Sequence, residues 1–171
     1  TEYGDLVCPV CKAFALGAEN QLISNDVRAG RVKLVYKALE TASLTANGSM
    51  FVPGQAAARA AGKQDLGWNY VELFYHEQGD ETTSYETQSY LDGLAEQISG
   101  LDYSKWSAAR TPSAFASEIK AEGDAGAAAD SSIGQGPSTP TIVVSGPKSQ
   151  AQPIAGQPTY SLLASRIKSV S

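Results

Sequence analysis

The chain has 171 residues, 42% of them hydrophobic and 18% charged, with a net charge of −5 and a pI near 4.8. That length suits one domain with a real core, and the acidic balance, with Lys and Arg scattered, excludes the clustered basic face that a nucleic-acid partner needs. No stretch approaches the roughly 18 consecutive apolar residues of a membrane span. There is no basic-then-apolar signal segment, and Thr1 opens directly onto an apparent strand end, Tyr3-Gly4-Asp5. The chain therefore reads as a processed or trimmed product, whose leader or tether would lie upstream.

In chain order, the first strand fragment covers residues 1–5 and leads into a predicted helix over 9–29. Val10, Phe14, Ala18 and Leu22 recur at four-residue spacing, and Ile23 and Val27 extend the apolar face. Pro9 suits a first helical turn, and Gly30 makes a natural stop. Residues 31–39 alternate as a strand through Val32, Leu34 and Tyr36. This β–α–β unit implies a parallel pair with a right-handed crossover.

Residues 41–54, rich in Ser, Thr, Asn and Gly, read as a loop. Helices are expected over 55–61, from Leu66 to near Gly79, over 85–98, around Trp106, and from Pro112 through Phe115 and Ile119 into 123–130. His76 ends a helix, and Trp68, Tyr70 and Phe74 are core residues before they are substrate contacts. Strand character returns at Thr141-Ile142-Val143-Val144, pairs with a short strand around Ile154, and is followed by a helix from about 159 to 170. The order is β-α-β, a helical block, then β-β-α.

Chemistry concentrates in the only two cysteines, Cys8 and Cys11. A structural zinc site usually takes four ligands, and with a single histidine the chain lacks the remainder, so no metal is expected. A disulfide closing so small a loop removes little unfolded-chain entropy, which favours a chemical role for the pair. Cys8 precedes the helix, where unpaired N–H groups and the macrodipole favour a thiolate. Cys11 lies one turn further in and can attack a mixed disulfide from behind. On position, Cys8 is the accessible nucleophile and Cys11 the buried resolving thiol. Pro9 and Val10 between them offer no imidazole or cation to the thiolate.

Tyr3-Gly4-Asp5-Leu6-Val7-Cys8-Pro9-Val10-Cys11-Lys12-Ala13-Phe14 at the front and Gly136-Pro137-Ser138-Thr139-Pro140-Thr141-Ile142-Val143-Val144 at the back resemble the DsbA-like thiol–disulfide oxidoreductases. Ala57-Ala58-Arg59-Ala60-Ala61 and Tyr70-Val71-Glu72-Leu73-Phe74 look like that family's first insert helices. The resemblance implies an α/β thioredoxin-like fold spanning 1–171 as a single domain, with a helical insertion over about 55–131. It implies a cis Pro140 beside the cysteines, keeping a backbone N–H away from the sulfurs. Thr139 would pair with an extended substrate backbone, and Pro9 and Val10 would face the substrate. Glu2, six residues before Cys8, matches the buried acid kept beneath the disulfide in thioredoxin-fold enzymes; the bland reading is a solvated strand-end carboxylate. Asp5 reads as a turn residue.

The chain departs from the family in its shortened first strand, its Pro-Val dipeptide and its lack of a second cysteine pair. The last leaves no sign of a DsbB-like relay or a dimerisation module, so a monomer is expected. The implied activity is disulfide exchange, as an oxidase, with cysteine-containing secreted or cell-envelope proteins. It needs no added cofactor, works outside the cytoplasm, and is recycled by a membrane redox partner. A reductase or isomerase on the same fold, or a peptide-binding module with an inert disulfide, are the competing readings.

Overall fold

The computed structural model describes residues 1–46, 48–149 and 152–171. Its sheet has four short strands in the order β2-β1-β3-β4: β1 Glu2–Gly4, β2 Tyr36–Ala38, β3 Thr141–Ile142 and β4 Ile154–Ala155. β1 pairs with β2 in parallel, Glu2 opposite Tyr36, and with β3 antiparallel, Glu2 opposite Ile142. Glu2 therefore stands on the central strand.

The strand predicted over 31–39 forms ladder pairs only at 36–38, because β1 offers only three residues to pair with. The one predicted over 141–144 likewise shortens to Thr141–Ile142. Val143 still donates its N–H to the Thr1 carbonyl and accepts from the Thr1 ammonium, each at 2.8 Å.

The helix after β1 departs from the predicted regular one. It runs as α1 Pro9–Phe14, a π-helical turn Ala15–Glu19, α2 Asn20–Leu22 and a second π-helical turn Ile23–Val27. Strict four-residue spacing exceeds the 3.6 residues per turn of an α-helix, and the wider i→i+5 turns absorb the excess. Phe14, Ala18 and Leu22 are buried against Ile142 and Leu163. Val10, predicted on the same apolar face, is instead 40% exposed. A second stripe on this helix, Cys11, Ala15 and Glu19, is also buried.

The segment predicted as a loop over 41–54 contains a helical turn, α3 Ser43–Ala46, and a 3-10 turn Gly48–Met50, and the following helix α4 starts at Phe51. The cause is long-range. Asp5 reaches across to accept the Ser43 N–H at 2.9 Å, capping α3 from another part of the chain. Pro53 falls in the first turn of α4, where a missing N–H has no cost.

The helical block continues as α4 Phe51–Gly62, α5 Gly67–Glu77, α6 Gln88–Gln97, α7 Tyr103–Ala109 and α8 Pro112–Ser131. α4 buries Ala56, Ala57, Ala58, Ala60 and Ala61, and these small side chains let α5 approach closely. Trp106, fully buried, donates its indole N–H to the Ala57 carbonyl at 2.9 Å, and Tyr70 donates to Leu91 O at 3.0 Å. The helix predicted from Pro112 into the Ala/Gly-rich 123–130 stretch forms as α8. Gly126 is where α8 crosses the sheet, since a Cβ there would sit 2.9 Å from the Tyr3 ring. The final helix, α9 Tyr160–Val170, buries Leu163 and Val170. Among the described residues no helix is long and apolar enough to cross a membrane.

Candidate active site

Cys8 is the N-cap of α1 with extended backbone (φ −74°, ψ 121°), and Pro9 follows in the first turn. Cys8 N–H donates to Asp5 O at 3.0 Å and Cys8 O accepts the Lys12 N–H at 3.1 Å, so a turn before the helix and the helix itself fix the residue. Gln78, just beyond α5, clamps the approach by donating to Leu6 O at 2.7 Å and Cys8 O at 3.1 Å. Lys12 is drawn aside, its ammonium donating to Gln78 O at 3.3 Å.

The expected accessible nucleophile is largely covered. Cys8 is 5% exposed and Cys11 is fully buried. The cover is the loop before β3, whose Thr139 carbonyl accepts from the Cys8 Sγ at 3.5 Å. The Thr139–Pro140 peptide bond is cis, and both residues are buried here. Pro9 and Val10 are the exposed members of the neighbourhood.

Three ties hold the Thr139 loop. The Asp130 carboxyl on α8 accepts from Ser138 N at 2.8 Å and Thr141 Oγ1 at 2.5 Å. Pro140 O accepts the Gly156 N–H at 2.8 Å. The Thr139 and Thr41 hydroxyls lie 2.5 Å apart. Thr41 is in turn anchored by Asp5, which accepts from Thr41 N (2.9 Å), Ser43 N (2.9 Å), Ser43 Oγ (2.6 Å) and Val7 N (3.2 Å). Asp5 is thus more than a turn residue: its fully buried side chain ties the loop after β2 to the cysteine loop.

These surroundings make the two thiols unequal. The Cys8 thiol is lowered from 9.0 to about 6, chiefly by hydrogen bonding from Cys11, then from the Thr139 side chain and from the Cys11 and Val10 N–H groups, against an opposing effect of burial. The Cys11 thiol is pushed well up, first by burial, then by its bond to Cys8 and by the negative charge of Cys8 and Glu2. The stabilisation of Cys8 owes nothing to a cation in the Pro9-Val10 dipeptide.

Glu2 is fully buried, and Glu19 is 3% exposed. Both Glu2 oxygens, Glu19 Oε1 and the Tyr75 hydroxyl meet no donor among the described residues, so a hydrogen bond between Glu2 and Glu19 requires one of the two carboxyls to carry a proton. Glu2 and Gly4 share a face of β1, since a Cβ at Gly4 would sit 3.3 Å from both Glu2 Oε1 and the Tyr75 hydroxyl. The Glu2 carboxyl is held well above the usual range, by burial first and then by Glu19, with Cys8 adding to it and the Thr1 ammonium opposing. Burial likewise raises Glu19.

Sequence reading overlooked Asp5 as an anchor, together with Thr41 and Gln78, since each acts across a long sequence separation; Asp130, which holds Ser138 and Thr141 only 8 and 11 residues on, was overlooked for want of a motif. Glu19 did leave a signal: Cys11, Ala15 and Glu19 are spaced four apart on one stripe, which puts a carboxyl where an apolar residue belongs.

A dithiol at a helix start under a cis-proline loop, on a sheet interrupted by a helical block, defines a thioredoxin fold with a helical insertion. Residues 1–158 match the family model described as Thioredoxin, and the chain belongs to that family. Among solved structures it resembles oxidised BdbD from Bacillus subtilis at 20% identity and TM-score 0.75, covering 98% of this chain and 84% of that one. It also resembles α-DsbA1 from Wolbachia pipientis (13% identity, TM-score 0.73, covering 99% and 83%). A third neighbour is DsbA2 from Pseudomonas aeruginosa (20%, 0.68, covering 99% and 86%). The fold is thus that of DsbA-like thiol–disulfide oxidoreductases. No curated protein matches the chain.

Proposed function

We propose that the protein is a thiol–disulfide oxidoreductase that acts as an oxidase on cysteine-containing secreted or cell-envelope proteins. The observation that carries this reading is the asymmetry of the pair: Cys8 caps the start of α1 against the cis Thr139–Pro140 loop while Cys11 is fully buried one turn in, and the Cys8 thiol is accordingly lowered to about 6 and the Cys11 thiol pushed well up. A substrate thiolate attacks Cys8 Sγ in the Cys8–Cys11 disulfide, and Cys11 leaves and takes a proton from buried Glu2. A second substrate thiolate then attacks the substrate sulfur of the mixed disulfide. The substrate leaves with its new disulfide, and Cys8 leaves as a thiolate. A low leaving-group pKa speeds that release and makes the protein disulfide more oxidising.

Exposed Pro9 and Val10 border the substrate's approach, and Thr139 pairs with its backbone. Pro140, having no N–H, adds no backbone donor to the sulfurs from the loop that covers them. Two electrons pass on to a membrane redox partner, and the work takes place outside the cytoplasm, where disulfides persist.

The test is redox equilibration against a glutathione buffer, with Cys8 and Cys11 followed separately. The expected potential lies between about −120 mV, a strong oxidant, and about −270 mV, a reductant. A potential at or below the reductant end would support the reductase reading instead. A pair that never exchanges with a substrate peptide would leave only a binding module.

A further inference from the structure

The unpartnered acids beneath the cysteines carry an inference that rests on the proposed disulfide exchange and goes beyond Glu2. Glu2 has no way to renew a proton by itself, because it is fully buried on the central strand and both its oxygens lack partners among the described residues. Glu19 is placed to supply that way. It ends the π-helical turn Ala15–Glu19 on the same buried stripe as Cys11, and it lines a cavity of about 230 Å³ bounded by Ile23, Leu34, Trp68, Glu72 and Tyr75. Eight residues at about 1.5 Å rise separate Glu19 from Cys11 by roughly 12 Å along the helix. A Cβ at Gly4 would lie 3.3 Å from both Glu2 Oε1 and the Tyr75 hydroxyl, and Tyr75 lines the cavity together with Glu19, so Glu19 serves Cys11 through Glu2.

We propose that Glu19 is the second carrier of a two-carboxyl proton relay, passing a proton between Glu2 and solvent at this cavity as Cys11 gains or loses its own. When a substrate thiolate attacks Cys8 Sγ, the Cys8–Cys11 bond breaks and its electron pair goes to Cys11 Sγ. The Glu2 proton moves to that thiolate, the Glu19 proton moves to Glu2, and solvent reprotonates Glu19 at the cavity. The net transfer is one proton from solvent to Cys11, with the electrons coming from the substrate sulfur. In the reverse direction every step runs backward.

Two carboxyls suit this role because two neighbouring buried charges oppose each other, so the pair retains a proton where a solvated acid would lose it. The surrounding groups leave that logic intact. Glu2 faces Cys8, Cys11, Tyr36, Tyr75 and the Thr1 ammonium, and Glu19 faces Glu72 and Tyr75. Of these only the Thr1 ammonium is cationic, and Lys37 acts on it in turn.

The experiment follows the glutamate side-chain carbons by NMR across pH in the oxidised wild type, in Glu19→Gln and in Glu2→Gln. Wild type is expected to show two coupled steps shared by Glu2 and Glu19. In Glu19→Gln, Glu2 should titrate in one step at a lower pH, and in Glu2→Gln the same should hold for Glu19. In stopped-flow exchange, Glu19→Ala should slow the step that protonates Cys11 by up to about 100-fold. Formate, a carboxylic acid small enough for the cavity, should restore that rate in proportion to its concentration, which a purely structural defect would not allow.

An unchanged single-step Glu2 titration in Glu19→Gln, or a Glu19→Ala rate equal to wild type, overturns the relay while leaving the oxidoreductase reading in place. A wild-type protein that exchanges no disulfides overturns that reading and the relay with it.

Discussion

Two buried acidic neighbourhoods adjoin the cysteine pair, and they are built in opposite ways. Asp5 accepts four hydrogen bonds, from Val7, Thr41 and both donors of Ser43. Glu2 accepts none from the described residues and has a second carboxyl, Glu19, for a neighbour. A buried acceptor with every bond made is fixed in place, because each donor left unpaired would be costly. A buried carboxyl without donors keeps its proton instead. The first arrangement holds the loop that reaches Thr139 and Cys8; the second favours the protonated form of its carboxyls. Two acids three residues apart, one on β1 and one just past its end, are thus held in opposite ways.

The largest effect should come from breaking the satisfied side. Asp5→Ala orphans buried donors at about 1–3 kcal/mol each, so a loss of at least about 3 kcal/mol is expected in urea denaturation. It should also raise the Cys8 pKa, because Thr41 then no longer steadies Thr139.

On the unsatisfied side the expected change is one of pH dependence, and its sign differs between groups. The Glu2 pKa is raised in the folded protein, so the folded state holds more protons than the unfolded one above about pH 4.5. Stability therefore falls as pH rises from there toward the folded pKa, by at most about 1.4 kcal/mol per pH unit. Glu2→Gln should reduce that slope, leaving the shares of Glu19 and Glu86, whose carboxyls burial also raises, and should stabilise the oxidised protein at neutral pH. Cys8 acts the other way: its folded pKa is lowered, so the reduced protein gains stability between about pH 6 and 9 and loses it as pH falls through about 6. Denaturation of the oxidised and reduced forms across pH separates the two contributions, since the disulfide abolishes the Cys8 one.

The smallest effect belongs to the link between the two neighbourhoods. Thr139→Val removes a hydroxyl that favours the Cys8 thiolate, and should raise the Cys8 pKa by about one pH unit, which is about 1.4 kcal/mol. The potential should become more reducing by about 30 mV, the equivalent for a two-electron couple. Equilibration with glutathione reads both the sign and the size.

The same contrast explains what the sequence disclosed. Local patterns were legible: Cys8, Pro9 and Cys11 at a helix start, the apolar stripe of Phe14, Ala18 and Leu22, and the core of α5 around Tyr70 and Phe74. Glu2 was legible as an acid six residues before Cys8. Interactions spanning long separations were not legible. Asp5 caps a turn 38 residues away, and the Thr41 and Thr139 hydroxyls meet across 98 residues. Neither pairing has a periodicity or a motif to announce it. The loop reading of 41–54 failed for this reason, since its Ser- and Thr-rich composition is turned into helix by an acceptor elsewhere. Cys8 looked accessible because position on a helix says nothing about the loop that folds over it.

The most direct test of the account is the titration of each thiol in the reduced protein, by thiolate absorbance and by the pH dependence of alkylation, with Cys11→Ser and Cys8→Ser used to assign the signals. In the reduced wild type, Cys8 should titrate near about 6 and be alkylated first, with Cys11 remaining a thiol well above pH 9. In Cys11→Ser the Cys8 midpoint should rise or hold according to how well the serine hydroxyl replaces the Cys11 donor. A wild-type Cys8 midpoint at the ordinary 9.0, or preferential alkylation of Cys11, would contradict the asymmetry on which the proposed function stands.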